Sequence, residues 1–480
     1  MKPCFSSNHW RTVPPHSGVT RRELLRMGVL GALSVGVHSL TDRAAAQAGA
    51  SWKAGVARAV ITPEQAVWLA GYGSKRVPDG KLHDLWAKVL ALEDATGNRA
   101  VLITTDFQGV PREMSDRVFA QLRQQLGLER HQVMLAFSHN HCGPRLGDDL
   151  GDYYPVEEEQ VTRVEQYTTQ METKLVALVD EALKQLSPAT LKQGVGMTGF
   201  AVNRRNNREA EVSELLAQGT PLKGPVDHSV PVLTVTRPDG KLEAVLFGYA
   251  CHPTTLSFTT WCGDYPGFAQ LALEQQHPGT TAMFVNTCGG DQNPLPRRSV
   301  LLCERYGRML AQAVEDTLTK DLQPISPKLR TAFSHVGLAY DKVMTRAEIE
   351  PDLQNANPIR ARWAARLLRR LDAGETFGTS YPYPLHAWQL GGEMLMLGIG
   401  AEAVVDYALR FKKEFGPGTW VCGYVDDMVA YIPSRRVWEE GGYEGGSFLY
   451  EYRHPALRWA GDVEDRIATG IHALVKKVRS

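Results

Sequence analysis

Cysteine is scarce in this chain, at 7 of 480 residues, and the sequence has no C-x-x-C pair. That excludes a small disulfide-stapled scaffold and a zinc ribbon. There is no net charge, since 53 basic side chains balance 53 acidic ones, so the chain lacks the basic excess of a nucleic-acid-binding protein. No apolar run approaches the roughly 20 residues that span a bilayer, which argues against an integral membrane segment in the mature protein. Internal repeats and low-complexity tracts are also missing. What remains is ordinary: 43% hydrophobic and 22% charged residues, a mixture that excludes intrinsic disorder and supports a large packed core.

The charge is unevenly distributed. Lys2, Arg11, Arg21, Arg22, Arg26 and Arg43 face only Glu23 and Asp42 in the first 50 residues, so the rest is mildly acidic. T-R-R-E-L-L-R at Thr20 to Arg26 precedes the uncharged run Met27 to Val37 and a small-residue stretch, Ala44 to Ala50. A basic segment, an apolar segment of about ten residues and an A-x-A-like stretch read as an export signal, and the paired arginines as the twin-arginine route. The expected organisation is a signal peptide over residues 1–48 and a single catalytic domain over 49–480, exported to the periplasm or beyond. The six cysteines after Cys4 are expected to be mostly buried thiols.

Strand-like runs occur at Ala87 to Leu92, Ala100 to Thr105, Val133 to Phe137, Val230 to Thr236, Ala244 to Ala250, Ala282 to Val285, Gln389 to Leu397 and Trp420 to Val425. Helical periodicity marks Glu113 to Leu126, Gln160 to Leu186, Gly267 to Gln275, Cys303 to Leu318, Ala361 to Asp372, Glu402 to Phe415 and Gly461 to Val478. This interleaving predicts an α/β architecture with a mixed β-sheet core flanked by helices and a site at strand ends. The polar stretch Gly199 to Gly224 and the Tyr- and Pro-rich stretch Thr376 to His386 are expected to be loops.

Chemistry-bearing residues gather after apolar runs. F-S-H-N-H-C-G-P follows Val133 to Phe137, and an extended backbone would aim His139 and His141 to the same side. Such a pair suits a metal or acid–base work, or simply a polar turn. Ala244 to Ala250 leads into C-H-P-T-T with His252, Ala282 to Val285 leads into N-T-C-G-G-D-Q-N-P with Asp291 and Asn293, and G-D-Y-P-G lies between. Polar groups at several strand ends are where α/β sheets place their sites.

With these segments the sequence resembles the neutral/alkaline ceramidase family in its N-terminal catalytic domain. The matching segments run in family order: A-G-V-A-R-A-V-I-T-P at Ala54 to Pro63, S-H-N-H-C-G-P, V-N-R at Val202 to Arg204, V-D-H-S-V-P-V-L-T-V, C-H-P-T-T, G-D-Y-P-G, G-G-D-Q-N-P and A-Y-I-P-S at Ala430 to Ser434. The resemblance implies hydrolysis of an N-acyl amide, ceramide being the family's example, with one zinc held by His139, His252, Tyr431 and Glu402, the last opening a late helix. It implies His141 beside the metal and Arg204 and Tyr443 at the substrate. Two departures stand out. Asn293 occupies the position of the family's serine in G-D-x-S-P, so proton transfer is expected to fall to His141, Asp291 or another carboxylate, and activity on another amide or ester, or metal- and lipid-binding without catalysis, stays open. Only a short stretch follows the last motif, so the expected organisation is the catalytic domain without the family's C-terminal β-sandwich domain.

Overall fold

The apolar runs become the strands of a nine-stranded mixed sheet. The computed structural model describes residues 51–480, so the signal segment expected over 1–48 lies outside the described residues. In chain order the main strands are β1 (Trp52–Val60), β2 (Trp86–Glu93), β3 (Arg99–Thr105), β4 (Val133–Phe137), β5 (Ser187–Met197), β6 (Ser229–Thr236), β7 (Leu242–Tyr249) and β8 (Thr281–Asn286). They lie in the order β8-β7-β6-β5-β1-β2-β3-β4, and the short strand Gln323–Pro324 also pairs with β5. The two edge pairs, β8 with β7 and β3 with β4, are parallel, and the rest are antiparallel.

A second sheet of four strands contains β9 (Leu329–Ala339), β10 (Ser380–Leu390), β11 (Met394–Ile399) and β12 (Trp420–Cys422) in that order. Period-two alternation sorts side chains between layers. On β2, Ala87, Val89 and Ala91 face a core shared with helices α1 (Arg112–Leu126), α2 (Glu158–Lys184), α3 (Asp264–Gln276) and α4 (Val300–Leu318). Leu90 and Leu92 enter a different core with Trp388, Met396 and Trp420 of the second sheet. The far face of that sheet, with Leu385, Leu395 and Leu397, packs on α6 (Val405–Phe415) and α7 (Val463–Arg479); α5 (Pro358–Asp372) has its own small cluster. The result is helices, sheet, sheet and helices in four layers, a mixed α/β core of the kind expected, with two sheets where one was anticipated. The six cysteines after residue 50 are free and buried, and no helix among the described residues is long and apolar enough to cross a membrane.

Four local expectations are corrected. Gln389 to Leu397 is not one strand: Gly391, at φ 59°, and Gly392 turn the chain between β10 and β11, as a Gly-Gly pair permits. Thr376 to His386 is not all loop, because β10 begins at Ser380. Pro382 and Pro384 pair only with β9 on one side, while pairing to β11 starts at Leu385. Proline is tolerated there because its missing N–H faces an open edge. The stretch 199–224 contains the strand Ala201–Asn203, which pairs with Gln292–Pro294, and the helix Glu209–Ala217. Glu402 does not open a helix. It lies in the two-residue strand Glu402–Ala403, and α6 starts at Val405.

Candidate metal centre

Three strand ends deliver the centre. Because β7 and β8 are parallel, the segments following them, with His252 and with Gly289 to Asn293, emerge at the same edge. β4 ends nearby: the Asn286 amide at the end of β8 donates to the Ser138 carbonyl at 3.0 Å. The chain after β12 lies across both ends through bridges of Val425 to Ala136 and Cys422 to Thr287. Glu402 and Tyr431 are parallel register partners in a separate two-stranded pair. The expected extended backbone at the H-x-H does not hold, since His139 sits at φ 64°, in the left-handed region that a non-glycine residue adopts only when its surroundings enforce it. The turn brings His139 and His141 together, with their Nε2 atoms 3.1 Å apart.

The buried side chains of His139, His252 and Glu402 place one potential ligand atom each within 4.8 Å of the others. Glu402 Oε2 is 2.8 Å from His252 Nε2 and 3.2 Å from His139 Nε2. The other ring nitrogens are committed. His139 Nδ1 is 2.7 Å from the Gln108 carbonyl, and His252 Nδ1 is 2.7 Å from the Gly289 carbonyl. A carbonyl only accepts, so both Nδ1 atoms carry a proton, and Nε2 is the nitrogen each ring has left to offer a cation. Burial lowers the His252 pKa to about 4, which keeps the ring neutral. Burial opposes ionisation of Glu402 too, but attraction and hydrogen bonding from His139 and His252, which act when a ring carries a proton toward it, outweigh that and hold the carboxyl well below its usual range.

Two Nε2 atoms and a carboxylate oxygen therefore converge, an arrangement in which a cation can take the place of the shared protons. His141 adds at most one N–H, and burial pulls its pKa well down as well. Its Nδ1 has no partner and packs against Gly71 (φ 97°), where any side chain would collide with the ring. The donor set of two imidazoles and a carboxylate fits a borderline divalent ion such as zinc.

Around this group lie the other residues singled out from the sequence. Tyr431 stacks near His252, ring centroids 6.3 Å apart, and its hydroxyl accepts from Arg204 Nη2 at 3.0 Å. Arg204 also donates to Glu444 at 2.8 Å and to the Asn293 side-chain oxygen at 3.3 Å. Tyr443, half exposed, lies with its ring 5.1 Å from that of Tyr431. Arg204, Asn293, Leu295, Arg297, Tyr443 and Glu444 help line a cavity of about 530 Å³. Asp291 is placed differently: its oxygens accept from the Val405 N–H at 2.9 Å, the Asn203 amide at 3.0 Å and the Gln292 amide at 2.9 Å. It ties the loop after β8 to the start of α6.

Sequence reading missed Tyr452, whose hydroxyl donates to Glu402 Oε1 at 2.6 Å, and Tyr424, whose ring lies 4.9 Å from that of His139. Neither has a local motif that could have revealed it. Glu444 was visible only as the neighbour of Tyr443.

Fold and centre together define an α/β protein with a buried group able to hold a metal ion at its strand ends. The family model described as "Neutral/alkaline non-lysosomal ceramidase, N-terminal" matches residues 52–315, more than half of the chain. The chain belongs to the neutral/alkaline non-lysosomal ceramidase family. It is 25% identical over 486 residues to the neutral ceramidase of Pseudomonas aeruginosa, covering 83% of this chain and 69% of that one. Against neutral ceramidase B of Dictyostelium discoideum it is 26% identical over 233 residues, 44% of this chain and 31% of the relative. The crystal structure of the Pseudomonas aeruginosa neutral ceramidase shares the fold with a TM-score of 0.66 at 19% identity, covering 88% of this chain and 75% of that one. A ceramidase structure complexed with C2 has the same TM-score at 18% identity, covering 88% and 76%.

Proposed function

We propose that the protein is a zinc-dependent hydrolase of N-acyl amides, with ceramide as the first candidate substrate and a fatty acid and sphingoid base as products. The observation that carries this reading is the convergence of two imidazole Nε2 atoms and a carboxylate oxygen, buried at the strand ends of a ceramidase-family fold. Zinc held by His139, His252, Glu402 and Tyr431, one per chain, supplies when bound a Lewis acid that polarises the acyl carbonyl and lowers the pKa of water toward about 7.

The chain's own residues do the rest. Arg204, held by Glu444, Tyr431 and Asn293, orients the amide group of the substrate, and Tyr443 borders the same cavity. Asn293 keeps its side-chain oxygen turned to Arg204, which leaves its amide N–H groups free to donate to the developing oxyanion. His141, neutral and buried, takes the proton of the attacking water. Asp291, expected to carry protons, has both oxygens occupied, so in this reading it positions the loop that bears Asn293. The twin-arginine reading of residues 1–48 makes this an exported enzyme, which cell fractionation of the full chain checks.

The test is turnover of N-octanoyl-sphingosine, a panel of other acyl amides and 4-nitrophenyl octanoate by zinc-loaded protein. Hydrolysis of the esters alone would replace the amide reading. Full metal loading with no turnover of any acyl substrate would favour the non-catalytic alternative. A second expected result concerns the serine position. Asn293→Ala should lower kcat by about a hundredfold, the scale of one lost oxyanion donor. Asn293→Ser should raise amide hydrolysis, because a hydroxyl both gives and takes a proton. Full activity in Asn293→Ala would place the loop away from the reacting carbonyl.

A further inference from the structure

Amide hydrolysis needs an acid for the departing nitrogen, in addition to the base that takes a proton from water. The carboxyl groups near the centre differ in their hydrogen-bond partners: Glu451 accepts from the Tyr443 and Tyr450 hydroxyls. Glu402 faces the two imidazoles with one oxygen and accepts from Tyr452 with the other. Asp291 is filled by three donors, and Glu444 binds Arg204 and Arg205. Asp264 accepts from the Leu256 and Tyr265 backbone N–H groups, and Asp427 accepts from Arg112 and Tyr381. Asp149 differs. It is buried, and its Oδ2 has no hydrogen-bond partner among the described residues.

Its position suits the task. Asp149 and Tyr452 both line a cavity of about 760 Å³, which also presents Leu150, Phe377, Tyr381 and Met428. Tyr452, which lines this cavity, donates its hydroxyl to Glu402, and the cavity shares no lining residue with that of Arg204 and Asn293. Unpaired carboxyls are rarely left buried without a reason.

We propose that Asp149 is a catalytic residue of the hydrolase reading above, the acid that protonates the leaving amine, and that the amine half of the substrate occupies the 760 Å³ cavity. As the C–N bond breaks, its electron pair goes to nitrogen, and nitrogen takes the proton from the Asp149 carboxyl. The proton that His141 takes from the attacking water balances the one Asp149 gives, and exchange with solvent restores both groups. Burial supports the role by raising the Asp149 carboxyl pKa to about 7 against the pull of Arg145 and His139, with Glu402 adding to the rise. An acid tuned near the working pH is the most effective kind.

The test is Asp149→Asn, which preserves volume and removes the transferable proton. It is measured on N-octanoyl anilides of graded amine basicity and on 4-nitrophenyl octanoate, whose leaving group needs no proton. The expected result is a loss of about a hundredfold or more in kcat on the anilides, growing with amine basicity, and less than about a threefold change on the ester. Zinc content and melting temperature should match wild type. Equal losses on anilide and ester, or an unchanged anilide rate, would overturn the assignment. Wild-type protein that cleaves the anilides but not N-octanoyl-sphingosine would overturn the ceramide reading instead, and the anilide comparison would still decide Asp149.

Discussion

His252→Ala is expected to abolish metal binding and activity together. The substitution removes one of the two imidazoles and leaves His139, Glu402 and the Tyr431 hydroxyl to hold the ion, a set short of the nitrogen ligands a tight zinc site needs. Losing even an outer hydrogen-bond partner of a metal ligand costs about 10–100-fold in affinity or activity, so loss of a ligand should exceed a hundredfold. The bound zinc, measured by elemental analysis, should fall from about one per chain to a trace. Thermal denaturation supplies the control. A ligand that binds only the native state raises its stability by mass action, so a chelator should lower the wild-type melting temperature and leave that of His252→Ala unmoved. His139→Ala should also lose the metal, but it places alanine at φ 64°, an added strain that makes His252 the cleaner probe. Wild-type protein prepared without chelators and free of divalent metal would sink the zinc reading.

Asp426→Asn should be the most destabilising conservative change outside the centre. Asp426 follows the segment that bridges the two sheets, and its side chain accepts from Leu135 N–H of β4 at 3.1 Å and from Arg130 Nη2 at 2.5 Å. His386 of β10 contacts it at 2.6 Å. Burial alone would raise this carboxyl, but Arg130 and His386 outweigh it and hold the pKa far below the usual range. A buried pair broken on one side costs about 3–5 kcal/mol, and the lower end applies because Arg130 is a quarter exposed. The folded-state pKa is depressed, so the contribution is complete above the ordinary Asp value of about 3.9 and disappears as pH falls through the folded value. Urea unfolding should show a gap between wild type and variant that is constant above about pH 5 and shrinks below about pH 4. A gap that does not change with pH would mean that the group stabilises through shape and not charge.

Continuous apolar runs such as Val133 to Phe137 identified the buried strands because alternation is not needed when both faces are covered. The same rule failed where composition and pairing diverge. Pro382 and Pro384 read as loop because a sequence does not show which side of a strand is open, and Gly391-Gly392 was overlooked inside an apolar stretch. The second sheet was hidden for a related reason, since β9 carries half-buried and exposed residues along much of its length.

At the centre, the histidines and Arg204 stood out in compact motifs. Glu402 was read as a helix start because the helical pattern of α6 runs back to it, whereas its actual partner, Tyr431, is distant in sequence. Tyr452, Tyr424 and Asp149 were invisible because each reaches the centre through folding alone. The unpartnered Asp149 oxygen became visible only when every neighbouring carboxyl had been assigned its donors.

His252 and Glu402 meet across 150 residues of chain. A metal joining them would be a removable cross-link that forms only once folding has closed the loop between them, so it would stabilise the native state alone. Such a link ties the two sheets into one cooperative unit. Fragments cut between its ligands would hold no trace of the site, and the protein would gain its metal late, after the long-range pairing that brings the strand ends together.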